Sequence, residues 1–201
     1  MPYRFLVESY ETERLKTLGV WAEFRDADLH WRPADPQARG RSVLEQFVHQ
    51  CVSEDGWFKN MLGIDLGAMP LPEIETRLAF LERYAQASAT RLERLRVQTP
   101  EWWTGEAQFF EVRRSRAWIV VRRLVHSSHH RGQLTAYLRM LGRELHSTYG
   151  PTSDTGGLPA HQAPVIYAYD SVDQLLQGEW RGGTKHALPG PPKDKQYTER
   201  P

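Results

Sequence analysis

Apolar residues recur at steps of three and four in four long stretches of the chain, and this predicts four helices. In the first, about residues 3–25, Val7, Tyr10, Leu18 and Trp21 share one side, with no Pro or Gly before Gly19. The second opens with Ser42 and, three residues on, Glu45, directly before an apolar run. That is capping-box spacing. It continues through Phe47, Cys51 and Phe58 to about residue 62. In the third, Ile74, Leu78, Leu81, Ala85, Ser88, Leu92 and Leu95 alternate steps of four and three up to Thr99-Pro100. This is the seam of a bundle helix. The fourth, about residues 115–141, is apolar on most of its circumference: Trp118, Ile119, Val121, Leu124, Val125, Leu134, Tyr137, Leu138 and Leu141. A helix of that kind packs centrally, and Gly142 supplies its stop.

The connections are marked by Pro33 and Pro36, then by Gly63, Gly67, Pro70 and Pro72. Residues 102–112 read as extended or irregular, with a short hairpin expected about Thr104-Gly105. Beyond Gly142 come turns at Tyr149-Gly150-Pro151 and Thr155-Gly156-Gly157, then a short helix capped by Asp170 and running through Leu176. From Gly182 onward the chain is rich in Gly, Pro and Lys, a tail that packs only if something holds it. The expected class is all-α: an antiparallel four-helix bundle with long loops over residues 1–155. An irregular C-terminal extension, residues 156–201, packs on the bundle or on a partner subunit.

Composition narrows the function classes. A net charge of +1 over 201 residues gives no field toward nucleic acid or membrane, and no stretch approaches a membrane span. Cys51 is the single cysteine, so no intrachain disulfide forms. With charges at Glu8, Glu11 and Glu13 interrupting any leader, a cytoplasmic location is expected. The basic stretch Arg113, Arg114, Arg116, Arg122 and Arg123 reads first as a solvated face paired with acids, and second as an anion site.

The candidate chemistry lies in the histidines. His126 and His130 sit one turn apart on one helical face, a spacing at which two imidazoles grip one metal ion. His129 makes a competing pair with His126, and ordinary hydrogen-bonded histidines are the alternative to any metal. His49 lies nearly opposite the apolar side of its helix, which means either plain solvent exposure or a flank lining an open, polar cleft. Cys51 falls on the apolar side, as a buried thiol. Gln133 and Tyr137 follow His126 along nearly one meridian and are candidates to face the same cleft, or to pack in the bundle. Glu45 is a candidate base beside His49, although capping explains it as well. Trp102, Trp103, Phe109 and Phe110 either wall an apolar pocket or close the bundle's end.

The stretch His126-Ser127-Ser128-His129-His130-Arg131-Gly132-Gln133-Leu134, with Tyr137-Leu138-Arg139 and Gly142, closely resembles the last-helix signature of the DinB/YfiT-like superfamily of metal-dependent enzymes. Leu44-Glu45-Gln46-Phe47-Val48-His49 with Trp57-Phe58 resembles that family's second-helix motif, and Tyr149-Gly150-Pro151-Thr152 the loop that often follows the last helix. The resemblance implies a divalent metal, zinc or nickel first, then iron or manganese, held by His49, His126 and His130. It implies a thiol-dependent S-transfer on a small-molecule substrate and a homodimer; Gln133 and Tyr137, from their place on the helix, are the candidates to contact that substrate. Metal-dependent hydrolysis and a non-catalytic, stress-associated metal-binding protein are the alternatives. No residue is assigned as catalytic.

Overall fold

Four long helices form the body of the molecule: α1 (Arg4–Ala22), α2 (Val43–Asn60), α3 (Arg77–Arg96) and α5 (Arg116–Met140). Between α3 and α5 lie a one-turn helix, α4 (Pro100–Thr104), and a hairpin of β1 (Glu106–Phe109) and β2 (Val112–Ser115); a short helix, α6 (Val172–Trp180), follows in the C-terminal part. The structure, a computed structural model, describes residues 2–34 and 39–192. Helix α1 packs on α3 and α5, while α2 packs on α5 and α3, so α1 and α2 occupy opposite corners of a four-helix bundle. The fold is all-α apart from the small hairpin. Among the described residues no helix is long and apolar enough to cross a membrane.

Local chemistry sets the boundaries. At the start of α2, Ser42 Oγ accepts the Glu45 N–H at 3.2 Å and the Glu45 carboxylate accepts the Ser42 N–H at 2.6 Å, the expected capping box. Helix α3 begins later than the apolar steps predict. Thr76 Oγ1 accepts the Ala79 N–H and Asp26 accepts the Arg77 N–H, so the first free N–H groups are satisfied there, and Ile74 is left exposed. The hairpin also sits elsewhere than expected. Pro100 cannot continue α3 but suits the first position of a new helix, which Thr99 caps by accepting the Trp102 N–H. That turn, α4, takes up residues 100–104, and Phe109 pairs with Val112, which places the hairpin turn at Phe110-Glu111.

Apolar contacts gather in two clusters. One centres on Trp21, stacked on Phe47 at 4.2 Å, with Tyr84, Leu134 and Leu138; the other holds Tyr10, Phe58, Leu92, Trp103 and Ile119. A buried polar layer joins them. Glu54 accepts the hydroxyls of Tyr10 (2.6 Å) and Tyr84 (2.9 Å), one from each cluster, and lies 3.6 Å from both Arg91 and Arg123. Burial alone would push the Glu54 carboxyl up, but the two guanidinium groups and the two hydroxyls outweigh it and hold it below the usual carboxylate range.

Helix α5 departs from the all-round apolar expectation. Its buried stripe carries Arg123, Ser127, His130 and Arg131 among the aliphatics, while Trp118, Val121 and Val125 are exposed. The buried polar residues are there because the bundle interior is partly a charge network, not a continuous apolar core.

The C-terminal part packs on the bundle. Ala168, Tyr169 and Leu175 join the Trp21 cluster, and α6 lies against α1 and α3. Ser171, rather than Asp170, caps α6, its hydroxyl accepting the Gln174 N–H. Asp170 instead donates its N–H to the Gln174 side chain. The segment after Gly182 is held by His186 N–H to Ala168 O (3.1 Å) and Gly190 N–H to Asp154 O (2.9 Å); residues 193–201 lie outside the described residues.

Candidate metal centre

Helices α2 and α5 bring His49, His126 and His130 together. The Nε2 atoms of His49 and His130 are 3.0 Å apart, and those of His130 and His126 are 3.2 Å apart. All three potential ligand atoms lie within 4.8 Å of one another. His130 is buried, and the other two are half-buried at the edge of a cleft.

The donor chemistry fits a divalent cation. Desolvation, then the charges of Arg123 and the neighbouring rings, lower His126 to about 3. Desolvation likewise brings His130 to about 4 despite its bond to Gln133, and burial with Arg41 and Arg123 lowers His49. All three rings are therefore neutral at physiological pH, the form that ligates metal. Gln133 Oε1 accepts from His130 Nδ1 at 2.9 Å and from Gln46 Nε2 at 3.0 Å. With its proton on Nδ1, His130 turns the lone pair of Nε2 toward the other two rings. One in-plane lone pair serves one donor, yet two imidazole nitrogens crowd it. Among the described residues His126 Nδ1 is buried without a hydrogen-bond partner.

The triad borders a cleft of about 720 Å³, lined also by Ser53, Trp57, Phe109, Phe110 and Arg122. Trp57 stacks on the His126 ring at 5.6 Å and 25°, while Phe109 and Phe110 meet Trp57 edge-on. Behind the wall, Arg123 donates to Ser53 Oγ at 3.0 Å and to Ser127 Oγ at 3.2 Å, with its guanidinium 5.7 Å from the Trp57 ring. The basic stretch is therefore divided. Arg113 and Arg114 are exposed, as expected of a solvated face, but Arg123 is buried on Glu54.

The other candidates are distributed differently. Gln133 lies behind His130. Tyr137 packs in the core, its ring edge-on to Trp31 at 5.4 Å and its hydroxyl donating to the Arg41 carbonyl; neither lines the cleft. Glu45 is engaged by Ser42 and Arg32. His129 lines the cleft's rim without joining the triad. Burial pushes the Cys51 thiol up to about 12, so it is inert as a nucleophile. His146 pairs with Glu23 and His186 with Asp170, away from the triad. Of the loop aromatics, Phe109 and Phe110 wall the cleft, whereas Trp103 is buried against Tyr3. Trp57 and Ser53 were not singled out from sequence as site residues. Their spacing, one and two turns beyond His49, is the signal that carries them.

The DinB family profile matches residues 2–157. The chain belongs to the DinB family. A crystal structure of a DinB-like protein from Bacillus cereus ATCC 10987 superposes with a TM-score of 0.63 at 18% identity, covering 72% of this chain and 95% of that one. The DinB-like protein YjoA of Bacillus subtilis gives a TM-score of 0.54 at 17% identity, covering 70% of this chain and 94% of that one. At these identities the likeness establishes the fold. No curated protein matches the chain. The family match ends at residue 157, so α6 and the segment around it lie beyond it.

Proposed function

We propose that this DinB-family chain holds a divalent metal ion on His49, His126 and His130 and catalyses transfer to a small-molecule thiol. The convergence of three neutral imidazoles at the side of an open aromatic cleft carries the reading. Three nitrogen ligands suit zinc or nickel, with iron or manganese also accommodated by imidazole. Such an ion supplies a Lewis acid that lowers the pKa of a thiol brought to it, so that thiolate is present at neutral pH.

The chain's own residues do the rest. Gln133 sets the tautomer of His130, and Gln46 pins the Gln133 amide. Trp57 holds the His126 ring by stacking. Phe109 and Phe110 offer an apolar wall for the electrophile beside the triad.

Hydrolysis asks for a base beside the attacking water. Among the described residues no Asp or Glu lines the cleft and Glu45 is committed to its cap, so His129 on the rim is the base this second reading would use. The test is conjugation of glutathione, bacillithiol or mycothiol to a chromogenic electrophile by zinc- or nickel-loaded protein. Metal-dependent turnover that His126→Ala abolishes is expected. Ester hydrolysis without thiol would transfer the assignment to the hydrolase. A native protein that binds no metal by elemental analysis would remove both.

A further inference from the structure

The cleft beside the triad has an aromatic wall on one side and a cation on its rim. Trp57, Phe109 and Phe110 form the wall. Arg122 lies one helical turn before His126, is exposed, and lines the same cleft. Among the described residues no carboxylate pairs with Arg122; its guanidinium lies over the Trp118 ring at 5.8 Å, which Arg114 also approaches at 5.5 Å. The buried arginines Arg83, Arg91, Arg123 and Arg131 each meet a carboxylate, whereas the exposed Arg122 has its guanidinium at the cleft.

Phe110 supplies a second, independent observation. It occupies the first central position of a two-residue hairpin turn at φ +50°, where glycine or asparagine is usual. A left-handed conformation costs an L-residue with a bulky side chain roughly 1–2 kcal/mol. The ring recovers little of that by burial, because the residue is 65% exposed. A strained, exposed aromatic at the mouth of a cleft marks a ligand contact more readily than a structural one.

From these two features we infer that the cleft selects an aromatic carboxylate, its ring against Phe110, Phe109 and Trp57 and its anion on Arg122. The inference rests on the metal-centre reading only for the reaction. It names the substrate class, and its residues are distinct from the three histidines. Arginine suits the task because its planar fork donates two parallel hydrogen bonds to a carboxylate while stacking on neighbouring rings.

The test compares 2-naphthoate with 2-naphthalenemethanol, the same ring without the charge, by titration calorimetry on the purified full-length protein. The acid is expected to bind at least about tenfold more tightly than the alcohol, the scale of one charge-assisted hydrogen bond. Arg122→Gln is expected to bring the two within about twofold of each other. Phe110→Asn, which suits the turn, is expected to weaken both ligands alike. Equal binding of acid and alcohol, no binding of either, or preference surviving Arg122→Gln would each overturn the inference. The titrations are repeated after removal of metal by a chelator. Preference retained there supports Arg122, whereas preference lost with the metal shows that the carboxylate goes to the ion and overturns the inference. Metal content, measured separately, reports on the centre itself, so the two readings fail independently.

Discussion

His130 Nδ1 and Gln133 Oε1 lie 2.9 Å apart on adjacent turns of α5, and this one bond decides which nitrogen of the buried ring faces its neighbours. Replacing Gln133 by Ala leaves the three imidazoles in place but frees His130 to adopt either tautomer. Metal affinity is expected to fall about 10–100-fold, the usual effect of removing a group that orients a ligand histidine. Competition against a chromophoric chelator measures it. Unchanged affinity would mean that Gln133 only packs.

Glu54 is the sole carboxylate that faces Arg123 in the described ion pairs, whereas Arg91 also meets Asp55. Glu54→Gln removes the charge and leaves Arg123 buried with serine hydroxyls alone. Stability is expected to drop by about 3 kcal/mol, the lower end of the range for breaking a buried pair. Urea unfolding near neutral pH reads this directly. Combining Glu54→Leu with Arg123→Met removes both charges and is expected to recover part of the loss.

His146 gives a pH dependence away from the metal centre. Burial disfavours its charged form, but the hydrogen bond and charge of Glu23, with the His186 carbonyl on the other nitrogen, raise its pKa above 6.5. A raised folded-state pKa stabilises the fold fully below the unfolded value, and the contribution is lost as pH rises through the folded value. The stability advantage of the natural protein over His146→Gln should therefore shrink as pH rises above about 6.5. Thermal unfolding across that window checks it, and an advantage that grows with pH would contradict it. The segment bearing His186 is expected to exchange its amide hydrogens faster over the same range.

Gly178 lies under the Tyr169 ring: a Cβ built there would stand 2.5 Å from Tyr169 Cε1. Gly178→Ala must push the ring aside and break its 2.6 Å hydrogen bond to Glu179. A cost of about 1–3 kcal/mol is expected for such overpacking. Hydrogen exchange should localise the change to residues 168–186 and spare α2 and α5. Uniform loosening of the whole bundle would show that α6 is inseparable from it.

The four helices were legible in the sequence because burying one face of a helix imposes a 3.6-residue period. The Ser42–Glu45 box and the Gly142 stop were legible because caps are local chemistry. The His126/His130 pair was legible for the same reason, one turn being a fixed distance. For His49 the helical face read equally as solvent or cleft and the family motif alone named it; the packing of α2 on α5 brings its Nε2 to 3.0 Å from that of His130. Tertiary structure also sank Tyr137 into the core, buried Arg123 on Glu54 and placed the hairpin turn at Phe110, raising that ring over Trp57. The physical division is one of range. Sequence period and capping act over a turn or two. Which polar side chains share a buried layer, and which aromatics edge a cleft, depends on residues dozens of positions apart that meet only when the bundle closes.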